Sequence, residues 1–263
     1  MRKYLYILKT ELMSNLQYVF NLFGSFIIWF IIIYIFLNLW QYIYSDPNEL
    51  INGYSMNQMI WYVIITEILW SIIGGRKLCR KISDDVRSGN IAYNINKPYN
   101  YIGYSLANHF GLVTVRAIIY IVLGMLTGFI FLKSFPSLNI ITVLAVLLTG
   151  FLATIINTLI IIFIGLFSFI IEDSNPFYWL YSKVILILGT IFPIEFFPRI
   201  MQKIISFSPI YVVSYGPARL FVNFSWNEFL KISIAQIMYI AISYGLCAMV
   251  YRKGVKKLNV NGG

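Results

Sequence analysis

The sequence predicts an all-α membrane protein: one transmembrane domain over residues 1–263, built from six transmembrane helices. Three observations carry this reading. The 263 residues are 59% hydrophobic and only 11% charged, with a mean hydropathy of +0.77, whereas a soluble domain carries about 25% charged residues. Apolar runs near the roughly 20 residues needed to cross a bilayer recur along the chain. Lys and Arg gather at the ends of those runs, as membrane topology requires.

The N-terminal segment, residues 1–21, is not a span. Leu5, Leu8, Leu12, Leu16 and Val19 recur at helical spacing, with Lys3, Lys9, Ser14 and Gln17 between them. This reads as an amphipathic helix at the membrane surface, or as a cytoplasmic extension of the first span. The first span covers about Gly24–Tyr44, with Trp40, Tyr42 and Tyr44 at its far end, where aromatic side chains favour the interface. After a polar loop the second span runs over Ser55–Ile73 and ends at Gly74-Gly75. The segment from Arg76 to Tyr101 is the longest polar stretch and carries Arg76, Lys77, Arg80, Lys81, Arg87 and Lys97. Ser83 or Asp84 would cap a short helix there, Gly89 would stop it, and Pro98 closes the segment.

The third span is about Ser105–Leu132, and Lys133, Ser134 and Pro136 make a turn. The fourth, Leu138–Ile171, exceeds a bilayer and must tilt, kink or protrude; Glu172 to Pro176 turn the chain. A fifth apolar segment occupies Phe177–Phe192. Pro193, Glu195, Pro198, Pro209 and Pro217 then interrupt an apolar stretch, residues 193–217. Within it Arg199–Phe207 has helical spacing but is too short to span, so this region reads as re-entrant or interfacial. The sixth span is about Phe229–Tyr251, followed by Arg252, Lys253, Lys256 and Lys257.

With the N-terminus inside, fourteen Lys and Arg fall on one side and five on the other, and Arg116 lies within a span. This asymmetry predicts that both termini are cytoplasmic. The net charge of +10 is read as topology rather than nucleic-acid binding, because no basic run interleaved with aromatics lies outside the membrane. The first apolar stretch is too long for a cleavable signal peptide, and no small-residue cleavage site follows it.

Missing motifs narrow the chemistry. No G-x-x-x-x-G-K-[ST] occurs, so a P-loop is excluded. His109 is the single histidine, too few for a His-rich metal site, and it reads as a polar residue near the inner mouth of the third span. Cys79 and Cys247 lack metal or redox spacing and read as reduced structural residues. Two charges read as intramembrane, Glu67 and Arg116; such groups usually face the interior of the bundle. Counted from the ends of their antiparallel spans both lie roughly 9–10 Å deep, which predicts an ion pair or shared polar cluster, either a clamp or a pathway lining. Asn157 and Gln236 are deep and polar and suit interhelical hydrogen bonds. Gly124 and Gly128 form a G-x-x-x-G that permits close helix packing.

This layout resembles the membrane subunit of a type-2 ABC exporter over almost the whole chain. Two stretches carry the resemblance: RKLCRKISDDVRSGNIAYNINKP, from Arg76 to Pro98, and GTIFPIEFFPRIMQKIISFSP, from Gly189 to Pro209. The first is similar to a charged helix followed by R-x-G-x-I/L and a K/R-P dipeptide. The resemblance implies that residues 76–98 hold a coupling helix that docks on a separate cytoplasmic ATPase dimer, with Asp84, Asp85, Arg87, Gly89 and Asn90 on or beside it. It implies an extracellular gate at Pro193, Glu195 and Pro198 and a cleft lined by spans one, two and five; Glu67, Arg116 and Asn157 are the intramembrane polar residues that would belong to such a pathway. ATP and Mg would bind the partner ATPase and no cofactor this chain. A second permease, identical or homologous, would complete the pathway in a bacterial plasma membrane, and the cargo would be amphipathic: a peptide antibiotic, a drug or a lipid.

Other classes stay open. The central basic loop would also suit anionic lipid. An ion-coupled secondary transporter would need mid-membrane carboxylates and repeats, for which Glu67 is the one candidate. A membrane-integral enzyme would need clustered His, Asp or Glu. An immunity or sensory subunit could share the scaffold without transporting.

Overall fold

The computed structural model describes residues 2–17, 23–44, 46, 49–95, 97–133, 139–171 and 173–261; most of these are helical, and none lies in a β-strand. Val19, the Ser134–Pro136 turn and Glu172 lie outside the described residues. The helices are α1 (Arg2–Gln17), α2 (Phe23–Ile43), α3 (Met56–Ile73), α4 (Arg76–Arg87), α5 (Asn90–Ile95), α6 (Tyr101–Leu132), α7 (Ile140–Leu166), α8 (Asn175–Ile185), α9 (Arg199–Ser206), α10 (Gly216–Val222) and α11 (Trp226–Asn261). Two π-helical stretches, Leu186–Ile191 and Tyr211–Tyr215, continue α8 and lead into α10.

Five stretches are long and apolar enough to cross a membrane: Gly24–Ile43, Met56–Arg87, Tyr101–Leu132, Ile140–Phe169 and Trp226–Lys256. The fifth apolar segment is not among them. Pro176 opens it and Pro193 closes it, and in between α8 gives way to a π stretch. The sequence reading of six helices therefore stands at five among the described residues.

α3 is the hub, with 78% of its spanning window buried against 22% for α2 and for α11. Its start is fixed by a capping box in which Ser55 accepts from the Gln58 amide and Gln58 returns the bond. α2 lays Trp29, Ile33, Leu37 and Trp40 against the core, a stripe at helical spacing. α6 runs antiparallel to α3, and the G-x-x-x-G makes their contact close. A Cβ on Gly124 would lie 2.3 Å from the Ile68 side chain, and one on Gly128 would lie 2.2 Å from Trp61.

α1 packs along the first turns of α6. Tyr4 accepts from the Asn100 amide at 3.0 Å, Lys3 donates to the Pro98 carbonyl, and Glu11 accepts from Asn108 at 2.8 Å. Gly103 and Gly111 face Tyr4 and Glu11 and admit α1. A Cβ on Gly111 would sit 2.6 Å from the Glu11 Cβ and 2.8 Å from the Leu12 amide nitrogen.

A second apolar cluster sits under α4. Leu78, Cys79, Ile82 and Val86 pack on Leu159, Ile161, Ile162 and Leu166 of α7 and on Cys247 of α11. α4 starts at Arg76 rather than at Ser83 or Asp84. Ser83 is buried mid-helix and hydrogen-bonded to Ser168 at 2.7 Å, because the apolar stripe begins a turn and a half earlier. The break after α4 falls at Gly89, whose φ of +74° is costly for any side chain.

Candidate functional site

Functional side chains gather at the two ends of α3, which its 18 residues set about 27 Å apart. At the Ile73 end, α4 presents Arg76, Lys77, Arg80, Lys81, Asp84 and Arg87 outward while its apolar face is buried. Gly89 and Asn90 are exposed at the turn into α5. The two aspartates part company: Asp84 is exposed, whereas Asp85 accepts a 2.8 Å hydrogen bond from Tyr101, whose ring stacks on Tyr251. Asp84, Arg87, Gly89 and Asn90 thus form one free surface, and Asp85 ties α4 to α6.

Glu67 and Arg116 are not ion-paired. Among the described residues the one salt bridge joins Arg219 and Glu195. Arg116 instead donates to the Gly74 carbonyl at 3.0 Å. The register explains this. Gly128 meets Trp61, Gly124 meets Ile64 and Ile68, and Arg116 meets Gly74, so Glu67 is level with the region of Leu123, about 10 Å further along α3. Helix α6 begins at Tyr101, a turn before the Ser105 read from sequence, and its first turns pair with α1 rather than α3. A guanidinium at a helix C-terminus also satisfies carbonyls that lack intrahelical partners. Asn157 does the same, donating to the Ile73 carbonyl at 2.9 Å and accepting from Tyr181 at 2.9 Å.

The Tyr54 end holds a polar cluster around Glu195. Its Oε1 accepts from Tyr215 at 2.6 Å and from Tyr54 at 3.1 Å, and lies 4.0 Å from the Arg219 Nε. The Arg219 guanidinium sits 5.0 Å from the Tyr54 ring centroid. Burial first, and then the Glu195 carboxylate, hold the Tyr54 phenol protonated well above its ordinary range. Trp40, Phe192 and Phe196 close around the cluster with centroids 5.6–6.2 Å apart. Pro193 is buried and starts the 3-10 turn that carries Glu195; Pro198 is exposed and starts α9. Of the three gate residues read from sequence, Glu195 is the one whose side chain has polar partners, and those partners, Tyr54, Tyr215 and Arg219, were missed. Tyr54 stands far from Glu195 along the chain, Arg219 lies just beyond the last proline of the segment, and Tyr215 lies inside it with no spacing that marks it.

Between the two ends the π stretches meet. The Gly189 carbonyl accepts from Ser214 at 2.8 Å and from Tyr62 at 3.2 Å, and the Thr190 carbonyl accepts from Thr66 at 2.9 Å. Wider π turns leave carbonyls to be satisfied from outside the helix, and hydroxyls of α3 and the second π stretch do so here. Gln236 ties α11 to this level, donating to the Thr149 and Val212 carbonyls. An apolar groove of about 730 Å³ runs between α3, α6 and α7, lined by residues such as Ile68, Val113, Ile121 and Leu147. Among the described residues no group of three or more His, Cys, Asp or Glu is placed to hold a metal.

A bundle of apolar helices with a charged helix seated across one end and a polar cluster at the other describes a multi-pass membrane protein. A family profile described as ABC-2 family transporter protein matches residues 27–262, and the chain belongs to that family of ABC transporter permeases. The match begins inside α2, so α1 lies outside it. None of the curated proteins matches the chain.

Proposed function

We propose that this chain is the membrane-spanning permease subunit of an ATP-driven exporter, taking its power from a separate cytoplasmic ATPase dimer through α4. One observation carries this reading: α4 buries its apolar face against α7, α11 and the start of α6, and turns Asp84, Arg87, Gly89 and Asn90 to the outside. A membrane-surface helix would turn its apolar face to lipid; this one spends that face on the bundle, which suits a rigid handle gripped by a protein partner. The charge asymmetry supports a reading with both termini and α4 in the cytoplasm; in a bacterial plasma membrane, α8 and its π stretch would then be a sixth crossing and residues 193–217 would dip in from outside.

In this reading the Glu195 cluster is the outer gate. Tilting of α4 under ATP-driven closure is a rigid-body transition between two states, and it would shift α3 and α8 and part the π contact and the plug above it. A second permease, identical or homologous, completes the pathway, and ATP and Mg bind the ATPase alone. Aliphatic surface with few hydroxyls suits an amphipathic cargo.

The test is purification of the full chain in mild detergent from its native cell. A soluble ATPase should accompany it, and Asp84→Lys should break that association while leaving the thermal midpoint unchanged. Recovery of the chain without any ATPase, or an Asp84→Lys chain that binds it as before, rejects the proposal.

A further inference from the structure

The polypeptide between α3 and α4 is two glycines, Gly74 and Gly75, and neither has a side chain to stiffen the bend. A Cβ on Gly75 would lie 2.3 Å from the Ile161 Cδ1, so Ile161 would have to shift to admit one. Three backbone groups at this elbow are exposed by the end of α3 and the start of α4, and a different helix takes each of them. Asn157 of α7 donates to the Ile73 carbonyl at 2.9 Å, Arg116 of α6 donates to the Gly74 carbonyl at 3.0 Å, and Tyr178 of α8 accepts from the Gly75 amide at 3.2 Å. Tyr181, one turn beyond Tyr178, fixes the Asn157 amide by donating to its Oδ1. A cavity of about 120 Å³ lined by Trp70, Gly74, Asn157, Tyr178, Tyr181 and Ser182 lies beside the joint, giving it room to change angle.

We propose that Arg116, Asn157 and Tyr178 are positioning residues, a three-point clamp that makes α4, the end of α3 and α8 move together. This rests on the reading that α4 receives motion from an ATPase. α4 is already bound to the end of α7 by Ser83–Ser168 and lies against the start of α8 through Cys79 and Ser174. The clamp acts at the joint itself: Asn157 and Arg116 hold the carbonyls at the end of α3, and Tyr178 holds the amide of Gly75, the residue from which α4 starts. All three contacts are to backbone, so they fix the geometry of the bend whatever side chains neighbour it. Because α8 runs on into the π stretch whose carbonyls meet Tyr62, Thr66 and Ser214, a displacement passed to Tyr178 would reach the middle of the bundle.

The test measures distance in the full chain in nanodiscs, with its two buried native cysteines retained and spin labels at Arg80→Cys and Trp179→Cys. Both positions are exposed. A reference pair is placed at Leu126→Cys and Leu144→Cys, also exposed. The unsubstituted clamp should give a narrow distance distribution. Tyr178→Phe, Asn157→Leu and Arg116→Met should broaden it by up to about one helical turn, ~5 Å. Arg116→Lys, which keeps a cationic donor, should stay narrow, and the reference pair should not change in any variant. Distributions that overlay the parent, or a reference pair that broadens equally, overturn the clamp. This measurement needs no ATPase, so its failure is separate from failure of the exporter reading. In a complex with a co-purified ATPase, ATP with vanadate should leave the labelled distance unchanged in the parent, where α4 and α8 move together, and should shift it in Tyr178→Phe; the same behaviour in both counts against the clamp.

Discussion

Arg116 shows what one residue can and cannot announce. Its charge inside an apolar run marks it as a residue with an interior partner, and that much was legible. The partner is a main-chain carbonyl at the end of another helix, which no side-chain pattern encodes, so looking for an opposite charge pointed to Glu67. The Glu195 cluster has the same difficulty in another form. Tyr54 lies 141 residues from Glu195, and its selection among twenty tyrosines is made by the fold. Removing the Tyr215 hydroxyl tests this centre: Tyr215→Phe loses a 2.6 Å bond to a carboxylate and should cost about 2 kcal/mol, read as a lower thermal midpoint. Gly111 gives a second residue-scale test. Gly111→Val drives side-chain atoms into the Glu11 and Leu12 backbone. It should cost about 1–3 kcal/mol and detach α1, so hydrogen exchange should rise over residues 2–17 and not over α3. Gly103 and Gly111 stand eight residues apart in the sequence, and only the contact with α1 shows what they admit.

At the scale of elements, the long helices were legible because lipid leaves a spanning backbone few alternatives to helix. Helix ends were less so. α6 begins at Tyr101, where Asn100 accepts from the amides of Ile102 and Gly103; the sequence reading began the span where polar residues thinned out. α4 was recognised as a short charged helix, but its start was placed at a capping residue that is in fact buried in its middle. Its stop was read correctly at Gly89, whose left-handed backbone ends α4 and sets the angle to α5. Gly89→Ala keeps open space around the new Cβ yet forces a strained φ, which should cost about 1–2 kcal/mol. Circular dichroism should report little helix loss, while limited proteolysis should cut faster between residues 87 and 91.

For the whole molecule, the class was readable from composition and run length, and the count of crossings was not. The segment after Asn175 is apolar enough, but prolines at both ends and the π stretch keep it from being one long helix. Orientation can be measured directly, because Cys79 and Cys247 are buried. With a membrane-impermeant maleimide on intact cells, Ser225→Cys should label and Arg87→Cys should label only after permeabilisation; the reverse pattern would invert the proposed topology.

The uneven sheathing of the helices has one more consequence. α3 touches almost nothing but its own chain, while α2 and α11 turn most of their surface outward. Replacing residues one at a time should therefore give a lopsided tolerance map. Outer positions such as Ile31 or Ile237 would accept nearly any greasy substitute, and along α3 a single added or missing methyl group would register. Drift in the sequence over time should collect on the flanks and leave the central rod nearly still.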